Sequence, residues 1–380
     1  MGTRTDRRGV LHVVTDPRRR GSQAFAHDLD EALRARGGTS AIVALAGTGE
    51  MDIPVLGPGR LHPHTLRELR RRSAAASVVV AHGSTTLDAC GIALMASRTP
   101  FVYVNIGDPR HWARDAMRRA RVGLMLRRAS AIASVSPQGR EILLDTYRLA
   151  EGRVRAIPNG RHPERFTPPD ATDRAKARAH LGLPADATVL AVVGALAVEK
   201  RVGLAIEAFA ELAAGDETGA CASGFRLVVA GEGPERVALE ALAARLVPGL
   251  VTFTGNLAEL DPVYHAIDAL VMSSTSEGVP GVLVEAGLAG IPAAATDVGF
   301  VGDVVVDGVT GALAPARGGP GDVPALAAAI GRVLADRGAM GRAARARCLE
   351  RHAMDTVVDA WAALLDETGR REGARRVGPG

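Results

Sequence analysis

Glu277 and Glu285 stand eight positions apart in the segment SEGVPGVLVEAGLAG, residues 276–290. The rest of the segment is small or apolar, so two retained carboxylates need a reason. The turn Gly278-Val279-Pro280-Gly281 follows Glu277 directly, and the pattern from Val282 reads as a helix. The run ALVMSS before it, 269–274, reads as a strand. A strand, a glycine turn and a helix start together suit an anion. The first amides of a helix lack intrahelical acceptors, and the helix dipole favours negative charge there. Glycine lets backbone approach closely. Carboxylates beside a bound phosphate would accept hydrogen bonds from hydroxyls, one from a sugar and one from a ribose. The phosphate charge also needs a cation. Lys200 follows the strand-like TVLAVVG, 188–194, through the loop ALAVE, 195–199. Only Lys176 and Lys200 are lysines in this arginine-rich chain. Each feature also has a plain structural reading. A glutamate early in a helix is a favourable charge on the dipole, and a Gly/Pro turn after a strand is ordinary.

These residues need elements to hold them. VLHVV (10–14), AIVAL (41–45), VVVA (78–81), FVYVN (101–105) and AIASV (131–135) are near-continuous apolar runs. Such runs suit parallel strands covered on both faces. Helical patterns alternate with them, starting with 23–36. IPNGRHPERFTPPD, 157–170, is dense in Pro and Gly and reads as a linker. The alternation then restarts with strands at 188–194, 225–231, 251–255, 269–274 and 292–296. The last pattern, 354–367, places Val357, Val358, Trp361, Leu364 and Leu365 on one helix face. The expected fold is α/β, with two Rossmann-like doubly wound domains facing across a cleft. Open sheets of this kind take ligands at the carboxyl ends of their strands. His82, Asn105 and Asp108 lie at such ends and are candidates for acceptor or sugar contact. A lone histidine at a strand end is as often a local hydrogen-bonder.

With 380 residues, 47% of them apolar, the chain is globular and long enough for two cores. The formal net charge of +4 permits an acidic partner without demanding one. Cys90, Cys221 and Cys348 are scattered, which supports neither a disulfide frame nor a structural zinc. The N-terminal stretch has too short an apolar run for a secretory signal, and no uncharged run reaches membrane-spanning length. The expected location is cytoplasmic. The stretch RHWARDAMRRARVGLMLRR, 110–128, is basic and amphipathic. Such a helix can lie on the inner face of an anionic membrane; a solvated face is the plainer reading. HDLDE, 27–31, sits in a helical pattern and reads as a solvated face, not a metal motif after a strand.

Nearly the whole chain resembles the family-4 retaining glycosyltransferases with the GT-B fold. SEGVPGVLVEAG matches their E-x7-E signature. VGALAVEKRVGLAIEAFAEL (193–212) resembles the donor loop, and LVVAGEGPER (227–236) the strand with a GxGP turn. VTFTGN (251–256) resembles the base-cradling loop, IPNGRHPERF (157–166) the interdomain segment, and DVVVDGVTGAL (303–313) an acidic tract. The resemblance implies an N-terminal acceptor domain, 1–165, completed by a C-terminal helix, 354–370, and a nucleotide-sugar donor domain, 171–350. It implies that Lys200 neutralises the donor diphosphate, Glu277 holds the transferred sugar and Glu285 binds the ribose. Gly194, Gly278 and the backbone at Gly281, Val282 and Leu283 would line the donor, with Gly21 approaching from the other domain.

Several positions depart from the pattern. Ala195 stands where the family has an arginine, and Arg201 or an arginine of the first domain is the candidate substitute cation. RRRGSQ, 18–23, replaces a Gly-Gly pair, Asn105 replaces a histidine, and His162 replaces an aspartate. The implied reaction moves a sugar from a UDP- or GDP-sugar to a hydroxyl of a glycan, a lipid-linked sugar or a small aglycone. No metal, cofactor or nucleic acid is expected. A sugar-nucleotide epimerase on the same scaffold and a non-catalytic partner subunit are the alternative readings.

Overall fold

Twelve strands form two all-parallel sheets among the described residues of this computed structural model, which describes residues 9–18, 21–95, 97–112, 115–214, 224–257 and 259–376. Contacts divide the chain into two units. One comprises residues 1–161 with 351–380, the other residues 162–350. The division falls inside the Pro/Gly-rich segment, slightly before the expected end at residue 165.

The first unit carries β1 (Gly9–Val14), β2 (Ser40–Ala44), β3 (Ala76–His82), β4 (Phe101–Asn105), β5 (Ala131–Ser134) and β6 (Val154–Ala156), in the order β2-β1-β3-β4-β5-β6. β6 was not anticipated; it has three residues, and two of them are exposed. Both sheet faces are covered. Val79, Ala81, Tyr103 and Ile132 pack beneath the helices of residues 63–147. The other face meets the helices Gly21–Ala35 and Met354–Arg376, where Phe25 and Trp361 approach at 6.2 Å between ring centroids. Val357, Val358, Trp361, Leu364 and Leu365 are all buried. The final helix therefore spends its apolar face on this unit.

The second unit carries β7 (Thr188–Val193), β8 (Phe225–Ala230), β9 (Val251–Gly255), β10 (Ala269–Met272), β11 (Ala293–Asp297) and β12 (Gly311–Pro315), in the order β12-β11-β10-β7-β8-β9. β12 was also missed: GALAP is poor in β-branched and aromatic side chains, so propensity does not mark it. The unit begins with a helix, Ala171–His180, fixed by a reciprocal capping box between Asp170 and Asp173. The chain order reverses between β7 and β10, which makes that gap the topological switch point.

Two expectations change. The basic stretch 110–128 is not one helix. A short turn, Pro109–Trp112, precedes the helix Ala116–Arg128, which Asp115 caps. Val122, Met125 and Leu126 of that helix belong to the core, while Met117 and Leu124 are exposed. HDLDE is not a fully solvated face either. Asp28 and Asp30 are buried, Asp28 lying 3.8 Å from Arg161 and Asp30 3.1 Å from Arg34. His27, Asp28 and Glu31 offer donor atoms within 4.8 Å of one another, but Asp28 already faces a guanidinium. Cys221 lies outside the described residues. Among them, no helix is long and apolar enough to cross a membrane.

Candidate functional site

The switch point of the second unit gathers the residues whose chemistry the sequence suggested. After β7, Gly194 takes φ +143° and leaves open space where a side chain would start. The loop then closes in the short turn Val198–Lys200, and Arg201 enters the left-handed region at φ 46° before the helix Val202–Ala214. After β10 come Ser273, Ser274 and Glu277, then the helix Gly281–Leu288. Pro280 occupies its N-cap without a side-chain hydrogen bond, so the helix start is left to other acceptors. Leu283 donates its amide to Pro280 O at 3.2 Å, and its side chain is buried. That leaves the half-buried Gly281 and Val282, with Gly278 beside them in the turn, at the entrance.

Lys200 Nζ lies 2.5 Å from Glu277 Oε1. Ser274 Oγ donates to the same oxygen at 2.6 Å. The two loops are stitched together behind this pair. Ser273 Oγ donates to Lys200 O at 2.9 Å, and Thr275 N donates to Glu199 O at 2.8 Å. Thr296, on β11, donates its hydroxyl to Ser274 O at 2.7 Å. A third loop closes from β11: Gly299 has φ +55°, and a Cβ there would stand 1.8 Å from Glu277 O. A similar approach holds the loop after β8, where a Cβ on Gly231 would meet Gly194 O at 1.9 Å. Ser273, Ser274, Thr296 and Gly299 were not singled out by sequence reading. Serines at a strand end carry no signal of their own, and the glycine acts only through a contact distant in sequence.

Glu285 lies in the second turn of its helix. Its Oε2 accepts from Tyr264 Oη at 2.9 Å. Tyr264, on the short helix Asp261–Ala266, was also missed. Asp261 at the start of that helix has its carboxyl pushed up, first by burial and further by the charges of Glu259 and Glu285, with His265 opposing. Arg201 does not turn toward Lys200's partner. Its guanidinium pairs with Asp322 at 2.7 Å, a carboxylate that also accepts from the amides of Arg317 and Gly318. The cation expected to stand in at Ala195 is thus held by a structural carboxylate.

The candidates in the first unit are more dispersed. Gly21 opens the helix Gly21–Ala35, with nothing within 4 Å of where its Cβ would be. His82, at the end of β3, was expected to face the cleft and contact acceptor or sugar. It is instead 2% exposed, with Nε2 2.9 Å from Nδ1 of His12 on β1. Burial holds both imidazoles neutral. His12 is pushed down to about 4, with Asp30 partly opposing, and His82 well below its usual range. Asn105 is fully buried, and its Nδ2 reaches Ser134 Oγ at 3.5 Å. Asp108 receives Arg110 at 2.6 Å and the Arg110 amide at 2.9 Å, which makes it the glue of the turn Pro109–Trp112.

Two family models match this chain. One, described as glycosyltransferase family 4, matches residues 19–165; the other, described as glycosyl transferases group 1, matches residues 187–336. A 2-deoxystreptamine glucosyltransferase from Streptomyces kanamyceticus is 36% identical over 217 residues, 56% of this chain and 53% of that protein. A D-inositol 3-phosphate glycosyltransferase from Geodermatophilus obscurus is 34% identical over 254 residues, 62% of this chain and 53% of that protein. The chain thus spans about half the length of these curated relatives. Among solved structures, Anabaena HepE in complex with UDP and glucose superposes with a TM-score of 0.80 at 22% identity, covering 94% of this chain and 99% of that one. WaaG, a glycosyltransferase involved in lipopolysaccharide biosynthesis, gives 0.73 at 19%, covering 94% and 99%. At these identities the structural likeness speaks to the fold.

Proposed function

We propose that this chain, which belongs to the family-4 glycosyltransferases of the GT-B fold, transfers a sugar from a nucleotide-diphosphate sugar to an acceptor hydroxyl with retention of configuration. The observation that carries the reading is the Lys200–Glu277–Ser274 cluster beside the uncapped helix start at Gly281, at the switch point of the second sheet. An anion and a hydroxyl donor are the two chemistries this cluster would take. On donor binding, the ammonium of Lys200 passes from Glu277 to the diphosphate, and the amides of Gly281 and Val282 face the distal phosphate. Glu277 then accepts from a hydroxyl of the sugar, and Glu285 from the ribose.

In the reaction, the bond from the anomeric carbon to the phosphate oxygen breaks, and negative charge builds on the leaving diphosphate. Lys200 and the helix terminus stabilise that charge as it develops. The acceptor oxygen forms its bond to the anomeric carbon on the same face, and its proton goes to the departing phosphate oxygen. This assignment meets the diphosphate charge with protein groups and invokes neither a metal nor a cofactor. HepE holds UDP and glucose, which favours a UDP-sugar over a GDP-sugar. Relatives named for 2-deoxystreptamine and D-inositol 3-phosphate favour a small-molecule acceptor over a glycan or a lipid-linked sugar.

Thermal-shift screening of nucleotide sugars, followed by turnover assays with and without small hydroxylated acceptors, tests the proposal. Lys200→Ala and Glu277→Gln should each lower turnover by roughly 10²–10³-fold, the loss typical of one preorganised charge-stabilising contact. Both variants should still fold, because neither side chain lies in a core. Full activity in both would place the donor elsewhere. Isomerisation of the sugar without acceptor would instead indicate an epimerase, and a folded protein silent to every donor would indicate a partner subunit.

A further inference from the structure

We propose that Tyr264 is a positioning residue that orients Glu285 and thereby sets the preference for a ribose over a deoxyribose in the donor nucleotide; this rests on the reading of Glu285 as the ribose acceptor. Tyr264 is 1% exposed, yet it is a tyrosine and not a phenylalanine. A buried phenol ordinarily finds a hydrogen-bond partner, and here its hydroxyl donates to Glu285 Oε2 at 2.9 Å. The ring is held from behind. Phe166 meets it edge to face at 6.0 Å, and the neighbouring His265 reaches Thr167 O at 3.2 Å. The helix Asp261–Ala266 is thus pinned to segment 166–167, and the phenol has little freedom.

Glu285 by contrast is half-buried on a helix whose other inward positions are aliphatic. A glutamate on such a helix has several rotamers open to it. The phenol's hydrogen bond to Oε2 favours one of them, and in that rotamer the carboxylate accepts from the ligand. Ribose offers two vicinal hydroxyl donors to such a carboxylate; 2′-deoxyribose offers one fewer. A site whose carboxylate is oriented in advance loses less freedom on binding and discriminates more sharply. Replacing Tyr264 by phenylalanine keeps the ring packing and removes only the hydroxyl. A purely structural tyrosine would weaken ribo- and deoxynucleotide binding equally, so the ratio of the two affinities isolates the positioning role.

The test is calorimetric titration of UDP and 2′-deoxy-UDP into the wild type, Tyr264→Phe, Glu285→Gln and the double variant. Wild type should prefer UDP by about tenfold, and Tyr264→Phe should reduce that preference by roughly three- to tenfold. Glu285→Gln should bring it close to one, with the double variant no lower. If Glu285→Gln abolishes the preference while Tyr264→Phe keeps it whole, the inference about Tyr264 is overturned and the ribose reading stands. If the wild type has no preference, or Glu285→Gln retains it, both are overturned.

Discussion

Alanine at Gly299 tests whether the backbone around Glu277 must be placed as tightly as the structure draws it. Two costs are visible. The φ of +55° lies in the left-handed region, which penalises a residue with a Cβ by about 1–2 kcal/mol. The new methyl would also stand 1.8 Å from Glu277 O, whereas an ordinary contact needs about 3.5 Å. The two loops must therefore part by about 1.7 Å, and overpacking of this kind costs about 1–3 kcal/mol. Together these come to roughly 2–5 kcal/mol, or a Tm lowered by about 5–15 °C for a domain of this size. The larger effect falls on chemistry. Glu277 O belongs to the residue proposed to grip the sugar, and a misplacement of about 1 Å costs on the order of 10²-fold in rate. Steady-state kinetics at saturating donor, alongside thermal unfolding, measures both. Gly302→Ala is the control, because nothing lies within 4 Å of a Cβ there and its φ is not left-handed. Wild-type kcat/KM and Tm in Gly299→Ala would refute the close approach and the placement of Glu277 that depends on it.

Ser274→Ala removes the hydroxyl that shares Glu277 Oε1 with Lys200, so kcat should fall by roughly three- to tenfold and Ser274→Thr should recover part of it; an unchanged kcat would show that the serine does not orient the carboxylate. The buried histidine pair makes stability depend on pH. Unfolded imidazoles titrate near 6.5, whereas His12 in the folded chain titrates at about 4 and His82 well below its usual range. Between those values the unfolded chain binds protons that the folded chain refuses, so stability is complete above pH 6.5 and drains as pH falls toward 4. The urea midpoint should therefore drop more between pH 7 and 5 in the wild type than in a His12→Gln/His82→Gln variant, and equal drops would refute the assignment.

Legibility in the sequence followed the strength of local signals. Near-continuous apolar runs gave away ten strands because parallel strands are buried on both faces. That same burial hid the fate of His82. With both faces covered there is no alternation to say which way a strand-end side chain points, and only the pairing of β1 with β3 brings His12 beneath it. β6 and β12 are short or built of small residues, so their strand character comes from the sheet edge they join, not from their composition. Arg201 shows a different limit. Its neighbour Lys200 suggested a second phosphate cation, but a left-handed φ at Arg201 sends its side chain to Asp322, 121 positions away.

The same distinction runs through the candidate site. Lys200, Glu277 and Glu285 could be picked out as candidates because their charges interrupt small, apolar βα units. The groups that orient them are ordinary residues made specific by long-range contacts: Ser274 reached by Thr296, Tyr264 backed by Phe166, Gly299 against Glu277. On the proposed reaction, this division has a consequence for the charge balance. Lys200 and Ser274 donate to one oxygen of Glu277. When the diphosphate draws the ammonium away, the carboxylate keeps a neutral donor that holds its direction while its charge is released toward the sugar. A lysine alone could neutralise Glu277 but could not both leave it and aim it, so the serine at the end of β10 is what allows one cation to serve the phosphate without disordering the residue beside it.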